Sequence, residues 1–224
     1  MSIVHPVHSV PPRQLFHDFL RQHFGGDADR LLAQFEKYLQ ELYEWNRKVN
    51  LVSRKMPVQD YWTHHFLDSL LVFNCMDIKS GEVLDFGTGG GLPGLPVKLA
   101  RPELRLTLLD SVGKKIRCLQ ELIAALSITD CEAVWSRLED YSGRRFDLVL
   151  CRSVRLEPAF IAPLHRLLKE DGKVVFYKAQ QLDDVSVLPE ISICDVSRPE
   201  LGTRQMVIAP RRSFEAYLKT NRHG

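Results

Sequence analysis

Hydrophobic positions change period near residue 80. Before it they recur at helical spacing. Leu15, Phe16, Phe19, Leu20 and Phe24 form one stripe that stops at Gly25 and Gly26. Leu31, Leu32, Phe35, Leu39, Leu42 and Tyr43 form a second, running toward Trp45, and after Pro57 a third carries Tyr61, Trp62, Phe66, Leu67, Leu70 and Leu71. Beyond residue 80, short apolar runs alternate with helical stripes. Residues 83–86, 104–109, 131–135, 146–150 and 173–177 read as buried strands, with helices over 93–101, 113–126 and 157–169. In the helix at 113–126, Ile116, Leu119, Leu122, Ile123 and Leu126 share one face. This alternation predicts an α/β fold, a parallel sheet with helices on both faces. Runs at 191–196 and 205–209 predict an antiparallel pair at the sheet edge. The expected organisation is a loose arm over 1–12, a helical cap over 13–78, a ligand-binding core over 79–212 and a tail over 213–224 with no assigned feature.

Composition narrows the class without naming a partner. The 224 residues are 45% hydrophobic and 26% charged, and the net charge of +2 gives no global sign of nucleic-acid binding. A nucleic-acid surface would have to be local. Five cysteines, at 75, 118, 131, 151 and 194, make no CxxC pair, so buried free thiols in a reducing compartment are expected. The opening MSIVHPVHSVPPRQ lacks the basic-then-apolar pattern of a signal peptide, and no apolar run reaches the roughly 18 residues of a membrane span. A cytoplasmic protein, monomeric and without membrane contact, is the expectation.

The stretch VLDFGTGGGLPGLPVKLA, at 83–100, carries the chemistry. A glycine-rich turn between strand and helix lets a ligand approach the backbone closely. Three ligands compete for it. Gly89 and Gly94 have the spacing of a phosphate loop, but Leu95-Pro96 stands where Lys-Ser/Thr is needed. Dinucleotide binding wants GxGxxG directly after the strand, and counting from Gly87 the sixth position is Leu92. The third ligand is S-adenosylmethionine, which carries no phosphate. An acid followed by GxGxG suits it: Asp85, Gly87, Gly89 and Gly91. Asp85 is expected to face its ammonium. Asp110, 23 residues after Gly87, closes the second strand, where a carboxylate accepts both ribose hydroxyls. Leu138 and Glu139, after the third strand, are expected to flank and address the adenine.

Four stretches together resemble the small-subunit rRNA guanine-N7 methyltransferases, also called glucose-inhibited division protein B. They are LYEWNRKVNLVSRK (42–55), HFLDSL (65–70), LDFGTGGGLPGLPVKLARP (84–102) and LLDSVGKKIRCLQEL (108–122). The resemblance covers roughly residues 31–178 and includes the Leu-Pro-Gly-x-Pro tail of the cofactor loop. Three positions depart from the family pattern: Cys151 and Ser153 flank Arg152 where Ser-Arg-Ala is usual, and Ala179 stands where Gly is usual after Lys178. The resemblance implies a Rossmann-like class I S-adenosylmethionine-dependent methyltransferase sheet and methylation of N7 of one guanine in 16S rRNA, naked or within the small ribosomal subunit. It implies cofactor contacts at Asp85, Gly87, Gly89, Leu92, Asp110, Leu138, Glu139 and Arg152.

The chemistry needs no catalytic residue. Guanine N7 has an in-plane lone pair and no proton, so proximity and alignment suffice. Residues 151–154 read Cys-Arg-Ser-Val rather than the Asp/Asn-Pro-Pro-aromatic of amine methylation, and Cys151 is not expected to act as a nucleophile. Arg152, ending a central strand, is expected to hold guanine O6, a phosphate or the cofactor. His64, His65 and Asp68 lack an evident third ligand for a metal, so no metal is expected; His65 and Asp68 are expected to tie the cap to the core by hydrogen bonds. Candidate RNA contacts are Lys114, Lys115, Arg117, Arg155 and Lys178, with further cations at Arg47, Lys48, Arg54 and Lys55 and in the segment from Val196, which holds six Lys/Arg against two acids. Trp45, Trp62 and Trp135 are expected in the core. The competing readings are a methyltransferase of the same fold acting on protein or a small molecule, and a non-catalytic ribosome-assembly factor.

Overall fold

A computed structural model describes residues 10–221. Most of the expected arm lies outside them, and its last residue, Pro12, already begins a helix. Pro11 precedes helix α1 (Pro12–Phe24), and Pro12 occupies its first turn, where a missing N–H costs nothing. Helix α2 (Ala28–Lys48) buries Leu31, Leu32, Phe35, Tyr38 and Leu42 along one stripe, and the Phe16 and Phe35 rings meet edge to face at 4.8 Å.

The third apolar stripe is not one regular helix. It starts as a π-helical segment (Trp62–Leu67), passes through the single turn α3 (Asp68–Leu70) and tightens to a 3-10 turn (Leu71–Asn74). A π-turn takes one residue more than an α-turn. His65, Phe66, Leu67, Asp68 and Ser69 are all buried.

Among the described residues, seven strands form one sheet in the order β3-β2-β1-β4-β5-β7-β6. These are β1 (Gly81–Phe86), β2 (Leu104–Asp110), β3 (Cys131–Trp135), β4 (Phe146–Arg152), β5 (Leu168–Lys178), β6 (Ser192–Asp195) and β7 (Gln205–Pro210). The first five are parallel, and β7 and β6 add antiparallel at one edge. Helices α4 (Gly94–Ala100), α5 (Gly113–Ala125) and α6 (Pro158–Leu167) connect them. Chain order reverses between β1 and β4, and the crevice outside the strand ends at such a switch point is where open α/β sheets bind ligands. Register sets what meets there. Phe86 pairs with Leu109 and with Cys151, so Gly87, Asp110 and Arg152 emerge at one level.

Cap and sheet share one apolar cluster: Phe16, Phe35 and Phe66 belong to it with Leu95, Leu108 and Leu119. A second cluster fills the other sheet face under α6 and a last helix, α7 (Arg211–Thr220).

Three expectations need correction. The terminal segment contains helix α7 (Arg211–Thr220), which buries Phe214 and packs Tyr217 and Leu218 against the second cluster. That i, i+3, i+4 stripe is short and lies in a charged run. The cysteines are not all free: Cys75, after the cap's last turn, is joined in a disulfide to Cys194 on β6, 119 residues away. Cys118 and Cys151 are buried thiols, and Cys131 is half-buried. Trp135 is not in the core but 69% exposed, because β3 is the sheet's edge strand.

Candidate functional site

The turn after β1 is built from its own residues. Asp85 is fully buried, and its Oδ2 accepts hydrogen bonds from Thr88 Oγ1 at 2.6 Å and Gly94 N at 2.8 Å. Its Oδ1 has no partner. Burial pushes the Asp85 carboxyl up to about 6, against the lowering effect of those two hydrogen bonds. Gly87, with φ +71, could carry a side chain only with strain: a Cβ there would fall 2.5 Å from Val154 Cγ2, which would have to shift. The cap reaches over the turn, where Tyr38 donates from its hydroxyl to Gly90 O at 2.7 Å.

Asp110, at the end of β2, faces the same crevice. Its Oδ2 accepts from Gly89 N at 3.1 Å and its Oδ1 from Val112 N at 2.9 Å, and Lys115 Nζ stands 3.5 Å away. These groups border a cavity of about 640 Å³, in the range of small-molecule sites. Gly87, Gly89, Asp110, Leu138, Glu139 and Arg152 all line it, as does Lys115. Phe86, Leu109 and Phe160 supply apolar wall. Carboxylate, glycine backbone and apolar wall together fit a nucleoside with an amino-acid tail. Two expected residues do not line the cavity. Asp85 lies behind the turn it braces, and Leu92 is buried in the first apolar cluster.

A second cavity, of about 370 Å³, adjoins the first over β4 and β5. Arg152 and Ser153 line both. Ser153 takes φ +61, unusual for a residue with a side chain and concentrated at functional sites. Asp68 stands at the centre of this junction. It accepts from Arg152 Nη1 at 2.8 Å and from Arg204 Nε at 2.9 Å. Asp68 thus ties cap to sheet as expected. His65 does not. Its Nδ1 lies 3.1 Å from His64 O, which makes Nδ1 the protonated nitrogen, and Nε2 has no partner. Burial, reinforced by Arg152, pulls the His65 imidazole down to about 4, so it is neutral at physiological pH.

The candidate RNA cations divide. Lys114 and Arg117 are exposed on α5, and Lys115 is half-buried at the cavity wall. Arg155 is exposed and paired with Asp183 and lines neither cavity. Lys178 lines the second cavity, paired with Asp184. Burial pushes the Cys151 thiol up to about 12, which keeps it protonated. Among the described residues no group of three His, Cys, Asp or Glu could hold a metal, and no helix is long and apolar enough to cross a membrane.

Arg204, Tyr38 and the exposed Trp135 are the features that sequence reasoning missed. Arg204 carries no local signal, because its partner is 136 residues away. Tyr38 reads simply as one more member of a helix stripe.

Comparison with known proteins adds a family. Residues 31–197 match the family described as rRNA small subunit methyltransferase G. A ribosomal RNA small subunit methyltransferase G of Chlorobaculum tepidum is 40% identical over 171 residues, covering 76% of this chain and 78% of the relative. Its counterpart in Chlorobium limicola is 42% identical over 155 residues, covering 69% of each. Among solved structures, a SAM-dependent methyltransferase from Aquifex aeolicus superposes with a TM-score of 0.54 at 15% identity, covering 77% of this chain and 97% of that one. A ribosomal protein L11 methylase from Lactobacillus delbrueckii gives 0.52 at 22% identity, covering 69% and 80%. These two likenesses concern the fold alone.

Proposed function

Because the chain belongs to the rRNA small subunit methyltransferase G family, we propose that it transfers a methyl group from S-adenosylmethionine to N7 of one guanine in 16S rRNA. The observation that carries this reading is the pair of joined cavities at the sheet's switch point. One has the groups a nucleoside cofactor needs, and the other opens beside it through Arg152 and Ser153. The residues 79–212 act as the catalytic core and 13–78 as its cap, in a cytoplasmic monomer.

The cofactor, when bound, supplies a methyl group on an electron-poor sulfur. The chain's part is binding and alignment. Gly87 and Gly89 give the methionine moiety access to the backbone, and the unpartnered Oδ1 of Asp85 adds negative potential behind the turn. Asp110 accepts the ribose hydroxyls, while Leu138 and Glu139 border the adenine and Leu92 supports the loop from within. The guanine enters from the second cavity. There Arg152, fixed by Asp68, faces O6 or a phosphate and leaves N7 free to attack. No general base is required, since N7 carries no proton. Lys114, Lys115 and Arg117 track the RNA backbone beside the cavity. Arg155 and Lys178 contribute less, each held by an aspartate.

The test supplies radiolabelled S-adenosylmethionine with naked 16S rRNA, small subunits or protein extract, and maps the label. Label at a guanine N7 is the expected result. Label on protein alone overturns the reading. Absence of both label and cofactor binding replaces it with the assembly-factor reading.

A further inference from the structure

Trp135 has one face spoken for and one face open. Its Nε1 donates to Ser111 O at 3.0 Å, which fixes the ring's orientation. A Cβ placed on Gly113 would lie 3.1 Å from both Cδ2 and Cε2 and 3.4 Å from Cε3, so the indole rests flat on the first turn of α5. The residue is nevertheless 69% exposed. On the helix, Arg117 and Gln120 continue the face that Gly113 begins, and Gln120 Nε2 reaches Ala133 O of β3. Arg117 therefore stands next along the same groove. Lys114 and Lys115 follow Gly113 on the helix and Arg137 comes two residues after Trp135, with Lys115 and Arg137 at the cavity wall.

Position ties this ring to the site. Trp135 pairs in register with Asp110, and its neighbours Ser111, Val112 and Ser136 line the larger cavity while the indole itself does not. An exposed, pre-oriented aromatic ring at the rim, with exposed cations on the helix it rests against, is an arrangement that binds single-stranded nucleic acid: bases stack on the ring and phosphates meet the cations.

We propose that Trp135 is a stacking platform for an unpaired base of the RNA next to the methylated guanine. The proposal rests on the RNA-substrate reading above. Of the three tryptophans, Trp62 is buried and Trp45 is packed against the apolar cluster, so Trp135 alone offers a free face.

The experiment compares Trp135→Leu and Trp135→Phe with the unaltered protein, using a 16S rRNA fragment and small subunits. Stacking on an aromatic contributes about 1–3 kcal/mol per base, which is roughly 5- to 150-fold in Kd. Trp135→Leu should weaken RNA binding and raise the KM for RNA within that range, with S-adenosylmethionine affinity and kcat at saturating RNA unchanged. Trp135→Phe should recover most of the loss. In the unaltered protein, RNA should quench the component of tryptophan emission that Trp135→Phe removes. Unchanged RNA affinity in Trp135→Leu overturns the proposal, and so does an absent quench. An equal loss of cofactor affinity overturns it too, by assigning the ring to the adenine. Failure of the unaltered protein to bind or methylate RNA sinks the underlying reading instead.

Discussion

The turn after β1 and the junction over β4 and β5 border neighbouring cavities but are held together differently. In the turn, Asp85 bonds to residues three and nine positions away. At the junction, Asp68 bonds to residues 84 and 136 positions away, and all three groups are charged. The turn forms once a short stretch adopts its backbone angles. The junction forms only when cap, β4 and the β6–β7 hairpin have already met. The first is a local solution to loop geometry. The second is a tertiary clamp whose strength depends on burial of its charges.

The largest expected effect comes from removing the clamp's shared acceptor. Asp68→Ala leaves Arg152 and Arg204 without their common carboxylate in a site where the Asp68 and Arg152 side chains are 9% and 12% exposed. Breaking a buried ion pair from one side costs about 3–5 kcal/mol, read as a lower midpoint in urea unfolding. Adding Arg204→Ala should recover part of the loss. A loss equal to the sum of the single variants would show that Arg204 does not couple to Asp68.

The turn responds to pH through its buried acid. Asp85 has a folded value of about 6 against an ordinary 3.8. The native state therefore binds more protons than the unfolded state between those limits, and the ligand-free protein loses stability as pH rises from about 4 to 6. The difference is on the order of 3 kcal/mol, and above the window it no longer changes. Asp85→Asn keeps an oxygen acceptor for Thr88 and Gly94 and should flatten the profile in that window relative to the unaltered protein. Parallel profiles would remove Asp85 as the titrating group.

A smaller effect on stability, with a larger one on binding, is expected at Gly87. Gly87→Val demands a left-handed residue with a side chain, about 1–2 kcal/mol, and a shift of Val154. Cofactor affinity by calorimetry should fall at least tenfold, roughly 1.4 kcal/mol, with the fold retained by circular dichroism. Full affinity would detach this turn from the cofactor. The smallest effect is at the strap between cap and turn: Tyr38→Phe deletes the hydrogen bond to Gly90 O and should cost about 1 kcal/mol, seen as a modest drop in thermal midpoint.

Legibility in the sequence follows the same division. The five parallel strands, the edge pair and the helices over 94–100, 113–125 and 158–167 match their apolar periods closely, because each buries a face whose spacing is written locally. The third cap segment keeps its apolar letters but not an α-helical path, since it is π-helical over Trp62–Leu67. Helix α7 hides in a charged run, and its apolar stripe acquires meaning only against β5 and α6. Trp135 reads as core by residue type, and only strand order reveals that β3 is an edge. Asp85 shows the same limit within the site. Its place before the glycines is legible, but its side chain turns inward to Thr88 and Gly94, and that choice depends on the fold of the loop.

By itself the sequence determined the order of the strands and of the helices between them, the glycine turn and the acid after β2, because backbone propensity and amphipathic period act over a few residues. Tertiary structure alone decided which strand lies at the edge, that Arg204 joins Arg152 on Asp68, that Cys75 meets Cys194, and that one tryptophan is left with an open face. Those outcomes depend on distances between segments that share no local pattern. They are fixed when apolar burial brings the segments together, and their charges, thiols and rings then find partners at whatever positions the packing supplies.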